Sequence, residues 1–172
     1  MLNGLEPFLT RLFHLLDEAG VDVSSFEMDH VCYRVASPER YDSLRHAWSR
    51  YVRNFTFHES LVNGRPIAVF VLEFPPTVCG RVIHAVELPA PKKGSAYDEG
   101  WEHAEFVIEE SFDDFRARHS ELVFDTKSVD KELNPELGLK LGHGLQVKFH
   151  HKPLGEVIEI EEKLGLNLTL PA

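Results

Sequence analysis

The sequence predicts an α+β fold in which two paired βαβββ units form one curved mixed sheet, with an added N-terminal helix. Three observations predict it. A seven-residue pattern recurs 73 residues apart: Asp29-His30-Val31-Cys32-Tyr33-Arg34-Val35 lies over Glu102-His103-Ala104-Glu105-Phe106-Val107-Ile108. Each copy shows the two-residue alternation of a strand. Each then enters a helix that starts at a serine (Ser37, Ser111) and is followed by three further β-type segments.

The elements follow in order. Leu2 to Ala19 carries Leu5, Phe8, Leu9, Leu12, Phe13 and Leu16 at three- and four-residue steps, the stripe of an amphipathic helix. Asn3 is its expected N-cap and Gly20 its stop, so residues 2–20 form the N-terminal helix. Residues 28–92 form the first unit. The strand from His30 gives way to a helix opened by Ser37-Pro38-Glu39 and running to about Val52. Strands Phe55–Leu61 and Pro66–Phe74 flank an Asn63-Gly64 turn, a strong hairpin signal, and Arg81–Leu88 closes the unit.

Residues 89–99 read as a linker. The second unit, residues 100–154, comprises the strand Glu102–Ile108, a helix from Phe112 to about Leu122, and strands at Phe124–Val129, Leu137–Leu141 and Leu145–His150. Within the C-terminal segment, residues 155–172, the periodicity around Leu154–Leu164 fits helix and strand equally. The whole of residues 1–172 is about the length of a single domain.

Composition excludes several classes. Lys plus Arg number 18 against 28 Asp plus Glu, a net charge of −10, which argues against a nucleic-acid partner. The longest clean apolar run, about Ile67 to Leu72, falls far below the ~20 residues that span a bilayer, so no membrane association is expected. The N-terminus lacks a secretory signature. Cys32 and Cys79 make no disulfide framework and read as reduced thiols, so the expected location is cytoplasmic.

The repeat points to a metal. Side chains i and i+2 of a strand share a face. Val31, Tyr33 and Val35, like Ala104, Phe106 and Ile108, should therefore pack on helices. His30, Cys32 and Arg34, with His103, Glu105 and Val107, should face the other way. A lone histidine at a strand start is usually a surface residue, but two matched inward histidines need partners when buried. Two His and one carboxylate make a common open divalent site. Glu87, late in an otherwise apolar strand, is the candidate carboxylate. Aligning Val86-Glu87-Leu88 with Val147-Lys148-Phe149 sets Lys148 where a fourth ligand would stand. The expected metal ligands are thus His30, Glu87 and His103, with Lys148 beside the metal and His150 a weaker candidate.

These features resemble the vicinal oxygen chelate superfamily, and more narrowly the bacterial YecM-like family. The segments that carry the resemblance are Asp29-His30, Asn63-Gly64-Arg65-Pro66-Ile67, Val86-Glu87-Leu88-Pro89, Gly100-Trp101-Glu102-His103, Asn134-Pro135 and Lys148-Phe149-His150. The family's last strand ends in a Lys-Phe-His-Pro pattern, whereas here His151-Lys152 intervene before Pro153. The resemblance implies a metal-binding fold and leaves the reaction open, since the superfamily hosts isomerases, lyases, oxygenases and binders.

The expected function is a metal-dependent enzyme acting on a small, anionic, oxygen-chelating substrate. Lys148 would be the catalytic base if burial and the nearby metal cation lower its pKa. Arg34 and Arg65 would bind substrate, and Glu105 would orient an imidazole. Zn, Fe, Mn and Ni all suit the ligand set. The alternative is a non-catalytic protein that sequesters a small molecule in the same cavity.

Overall fold

The computed structural model describes residues 2–51, 55–62, 64–94 and 98–166. Helix α1 spans Leu5–Glu18 and buries Leu5, Phe8, Leu9, Leu12 and Leu16. Its N-cap is Gly4 in the left-handed region, without a side-chain cap bond, instead of the expected Asn3. Asn3 contributes its carbonyl, which accepts the Trp101 indole N–H at 2.9 Å. At the other end Gly20, at φ 69°, lets Val21 N–H return to Leu16 O and Gly20 N–H to Asp17 O, closing the helix.

The first unit runs β1 (Glu27–Arg34), α2 (Pro38–Tyr51), β2 (Phe55–Val62) and β3 (Arg65–Leu72). The strand expected from Arg81 to Leu88 is divided. Arg81–Val82 (β5) pairs with Thr77–Val78 (β4) in a separate ribbon, and Ala85–Pro89 (β6) enters the main sheet. The Asn63 half of the expected hairpin turn lies outside the described residues, but β2 and β3 pair antiparallel from Phe55–Leu72 to Val62–Arg65.

The second unit runs β7 (Gly100–Val107), α3 (Phe112–Arg118), β8 (Phe124–Asp125), β9 (Glu136–Gly142) and β10 (Leu145–His150). Ser111 caps α3 by accepting the Asp114 N–H. The C-terminal segment resolves as helix α4, Leu154–Lys163. Among the described residues no helix is long and apolar enough to cross a membrane. Cys32 is buried, Cys79 exposed, and both are free.

The main sheet has the order β2-β3-β6-β1-β7-β10-β9-β8. It is symmetric about its central antiparallel pair. The β1–β7 ladder sets Glu27 on Val107, Met28 on Phe106, His30 on Glu105, Val31 on Ala104, Cys32 on His103, Tyr33 on Trp101 and Arg34 on Gly100. The 73-residue shift carries Val31–Ala104 onto itself, and exchanges His30–Glu105 with Cys32–His103 and Met28–Phe106 with Tyr33–Trp101. The register is thus that of an internal two-fold centred on the Val31–Ala104 pair. Outward from it, β1 pairs β6 in parallel with Cys32 on Glu87, and β7 pairs β10 in parallel with Glu105 on Lys148. Glu87 and Lys148 are therefore equivalent positions.

One face of this curved sheet carries Val31, Phe70, Val86, Leu88, Ala104, Phe106, Val147 and Phe149, packed with α1, Trp48 of α2 and Phe115 of α3 in one core. The other face carries the histidines. It is partly covered by α4, whose Ile158 packs with Ile67, Val69 and Ala85.

Candidate metal centre

Strict alternation would turn Asp29 and Glu102 away from the histidines that follow them. The ladder skips both residues, so each is a bulge, at equivalent points of the two strands. The bulge brings the acid and its histidine onto the same face. Asp29 Oδ2 lies 2.9 Å from His30 Nδ1, and Glu102 Oε2 lies 2.9 Å from His103 Nδ1. A carboxylate accepts, so both Nδ1 atoms carry hydrogen, and in the neutral rings an ion would need, both Nε2 atoms turn lone pairs to the same face.

What they meet there is carboxylate. Glu87 Oε2 is 3.7 Å from each Nε2. Glu105 Oε1 is 3.4 Å from His30 Nε2 and 3.0 Å from His103 Nε2. His30, His103 and Glu105 side chains are at most 3% exposed and Glu87 is 14% exposed. Lone pairs and carboxylates facing one another in a buried site need positive charge between them. Donors around an ion at ~2.1 Å stand roughly 3.0–3.4 Å apart for octahedral to tetrahedral angles, close to the spacing seen here. His30, Glu87 and Glu105 bring ligand atoms within 4.8 Å of one another and could hold a divalent ion, and His103 Nε2 stands 3.0 Å from Glu105 and 3.7 Å from Glu87 at its edge.

The electrostatics agree. Burial opposes charge on His30, yet Glu105, Asp29 and Glu87 hold its pKa well above the ordinary histidine value. His103 is raised in the same way against burial, by Cys32 and Glu102. Burial would raise the Glu87 and Glu105 carboxyls. The two histidines and Lys148 instead hold Glu87 well below the ordinary carboxylate range, and Lys148 with the two histidines does the same for Glu105. Without an ion the pocket draws protons onto its imidazoles; an ion at the Nε2 atoms would replace them.

The other expected residues fall differently. Lys148 sits in the site, with Nζ 2.8 Å from Glu105 Oε1 and 3.4 Å from Glu136 Oε2. Burial alone would lower its pKa, but Glu105, Glu136 and Glu87 outweigh it and raise the pKa. With no ion bound, the expected base is therefore a cation. Arg34 is in the wall, its Nε 2.5 Å from Glu102 Oε2, and acts on His103 through that acid. Arg65 is not brought to the centre. It starts β3, donates to Ala90 O at 3.1 Å, and lies roughly 13 Å along the strand from Val69, the neighbour of Glu87. Glu105, expected only to orient an imidazole, faces both Nε2 atoms as directly as Glu87 does. His150 is fully buried and its ring lies 6.1 Å from that of His30. Burial first, and His30 next, hold its pKa below the ordinary value.

Comparison with known proteins places this chain in a family. The chain is 29% identical to Protein YecM of Escherichia coli (strain K12) over 185 aligned residues, covering 94% of each chain. It is 33% identical over 104 residues to an uncharacterized protein of Haemophilus influenzae, covering 60% of this chain and 53% of that one. Among solved structures it is similar to structural-genomics protein EC4020, with a TM-score of 0.73 at 25% identity, over 90% of this chain and 87% of that one. A hypothetical protein of Bacillus halodurans C-125 shares the fold, with a TM-score of 0.52 at 15% identity, over 75% of this chain and 96% of that one. The YecM protein family itself matches residues 1–141, and the chain belongs to that family.

Proposed function

We propose that this protein is a divalent-metal-dependent enzyme for a small substrate that presents two neighbouring oxygens. The observation that carries the reading is the convergence of His30 Nε2, His103 Nε2, Glu87 Oε2 and Glu105 Oε1 on the concave face. His30, His103 and Glu87 would hold the ion, with Glu105 a further donor, and Zn, Fe, Mn or Ni would suit these donors. When bound, the ion supplies Lewis-acid chemistry, polarising the substrate oxygens and stabilising charge that develops on them.

The chain's own groups do the rest. Asp29 and Glu102 fix the imidazole tautomers and ring orientations. Lys148, held protonated, donates from Nζ towards anionic oxygen, a role in binding or charge stabilisation in place of general base. Ile158 packs with Ile67 and Val69 of β3 and Ala85 of β6 and keeps water from that part of the face. Arg65 is too distant to take part, so attraction for an anionic substrate rests on the metal and Lys148.

The pairing of Lys148 Nζ with Glu105 and Glu136 also favours a second reading, a protein that binds and retains the same kind of molecule without turning it over. The test uses metal-loaded protein and catechol, a small vicinal-dioxygen probe. Metal-dependent binding that is lost in His103→Ala supports chelation in this cavity. Equal binding by metal-loaded and metal-stripped protein refutes it. Turnover against stoichiometric retention, across a panel of such compounds, then separates enzyme from binder.

A further inference from the structure

The same face holds one buried donor, His150, that the proposed centre does not use. His150 ends β10 with its side chain fully buried. Its Nδ1 lies 2.7 Å from the carbonyl oxygen of Lys152. A carbonyl only accepts, so Nδ1 carries the hydrogen. Nε2 of the neutral ring is then a lone pair, and it has no hydrogen-bond partner among the described residues. Facing it are Asp29 Oδ2 at 3.4 Å and Glu105 Oε2 at 3.6 Å.

A lone pair buried against two carboxylate oxygens is uncompensated unless positive charge lies between them. The spacing again suits donors gathered round one ion with bonds of ~2.1 Å. Glu105 links the two places. Its Oε1 faces His30 and His103, and its Oε2 faces His150. A carboxylate with its two oxygens turned to two donor sets is arranged to bridge two ions.

We propose that His150, Asp29 and Glu105 form a second divalent-cation site, adjoining the first and sharing Glu105 with it. The proposal rests on the metal reading above, since the shared carboxylate belongs to both. Asp29 Oδ2 also accepts N–H bonds from His30 and Leu154, at 2.9 Å each. His150 Nε2 and Glu105 Oε2 are therefore the principal donors and Asp29 the third. One imidazole and two carboxylates suit Zn, Mn, Fe(II) or Ni. Two ions sharing one carboxylate would stand about 3.5–4 Å apart, the spacing at which paired ions clamp two oxygens of one substrate.

The test is ion stoichiometry in the full chain. Protein is stripped with chelator, loaded with Mn(II), desalted, and measured by elemental analysis and electron paramagnetic resonance. Wild type should hold two ions per chain with an exchange-coupled spectrum. His150→Gln should hold one, with the six-line spectrum of an isolated Mn(II). One ion and a six-line spectrum in wild type overturn the second site and leave the first intact. Two ions in both proteins also overturn it, because the second ion then lies elsewhere. No ion in wild type overturns both readings. If His150→Gln fails to fold, His150→Phe, which keeps a ring of similar size, is read in its place with the same expected loss of one ion.

Discussion

Asp29 ties His30 to Leu154, because its Oδ2 accepts both the imidazole Nδ1–H and the first backbone N–H of α4, each at 2.9 Å. The helix packed on the histidine-bearing face is thereby fastened to the residue that orients a proposed ligand. Leu154→Pro removes that N–H at a position where proline suits a helix start, and Pro153 is already extended at ψ 147°. It should weaken metal binding and cost about 1–3 kcal/mol of stability. Leu154→Ala removes the side chain alone, so the difference between the two variants, read by denaturation and metal titration, isolates the bond. Equal behaviour would show that the tie does nothing.

Glu102 does for His103 what Asp29 does for His30. Glu102→Gln should loosen metal binding about 10–100-fold while leaving the melting temperature near that of wild type. Competition with a chelator of known affinity measures it. An unchanged affinity would mean that the acid only partners Arg34.

Lys148→Met should retain metal, because the lysine is paired with Glu105 and Glu136 and is not itself a ligand. It should lower affinity for anionic oxygen ligands such as catecholate, as read by calorimetry on metal-loaded protein. Loss of the ion in this variant would transfer Lys148 from substrate binding to support of Glu105.

Metal affinity should fall as pH drops. Both proposed imidazole ligands have pKa values raised above the usual histidine value of 6.5 when no ion is bound. The ion needs both unprotonated, so each contributes up to ~10-fold loss per pH unit, beginning above pH 6.5 and not below it. Titrations from pH 6 to 9 test the sign, and a flat profile would argue against imidazole ligation.

The packing of α4 gives a stability check. Ile158 is 5% exposed and meets Ile67, Val69 and Ala85. Ile158→Ala should cost about 2–4 kcal/mol in denaturant unfolding. A loss under about 0.5 kcal/mol would show that the helix rests only loosely on the sheet.

Much of this was legible in the sequence because the repeat constrains it twice. The seven-residue pattern located both histidines, and the Val86-Glu87-Leu88 alignment with Val147-Lys148-Phe149 agrees with the strand register that makes Glu87 and Lys148 equivalent. The acid before each histidine was visible too, but a two-residue period turns it outward. Only the bulges at Asp29 and Glu102 turn it in, and a bulge leaves no periodic signal. Glu105 was assigned to the right face, but its distance to the Nε2 atoms depends on how closely β1 and β7 bring their side chains together. The pairing of Lys148 with Glu136 was not legible, because Glu136 lies twelve residues earlier on β9 and only the β9–β10 ladder brings it within 3.4 Å of the lysine. The Arg81–Leu88 segment reads as one strand because the break at Ile83-His84 keeps β-type residues throughout.

The most direct test of the central claim is the divalent-metal content of anaerobically purified wild type and His103→Ala, compared by elemental analysis on folded protein. The account predicts stoichiometric metal in wild type and loss of the ion at the proposed centre in the variant. Metal content in His103→Ala equal to that of wild type would contradict it.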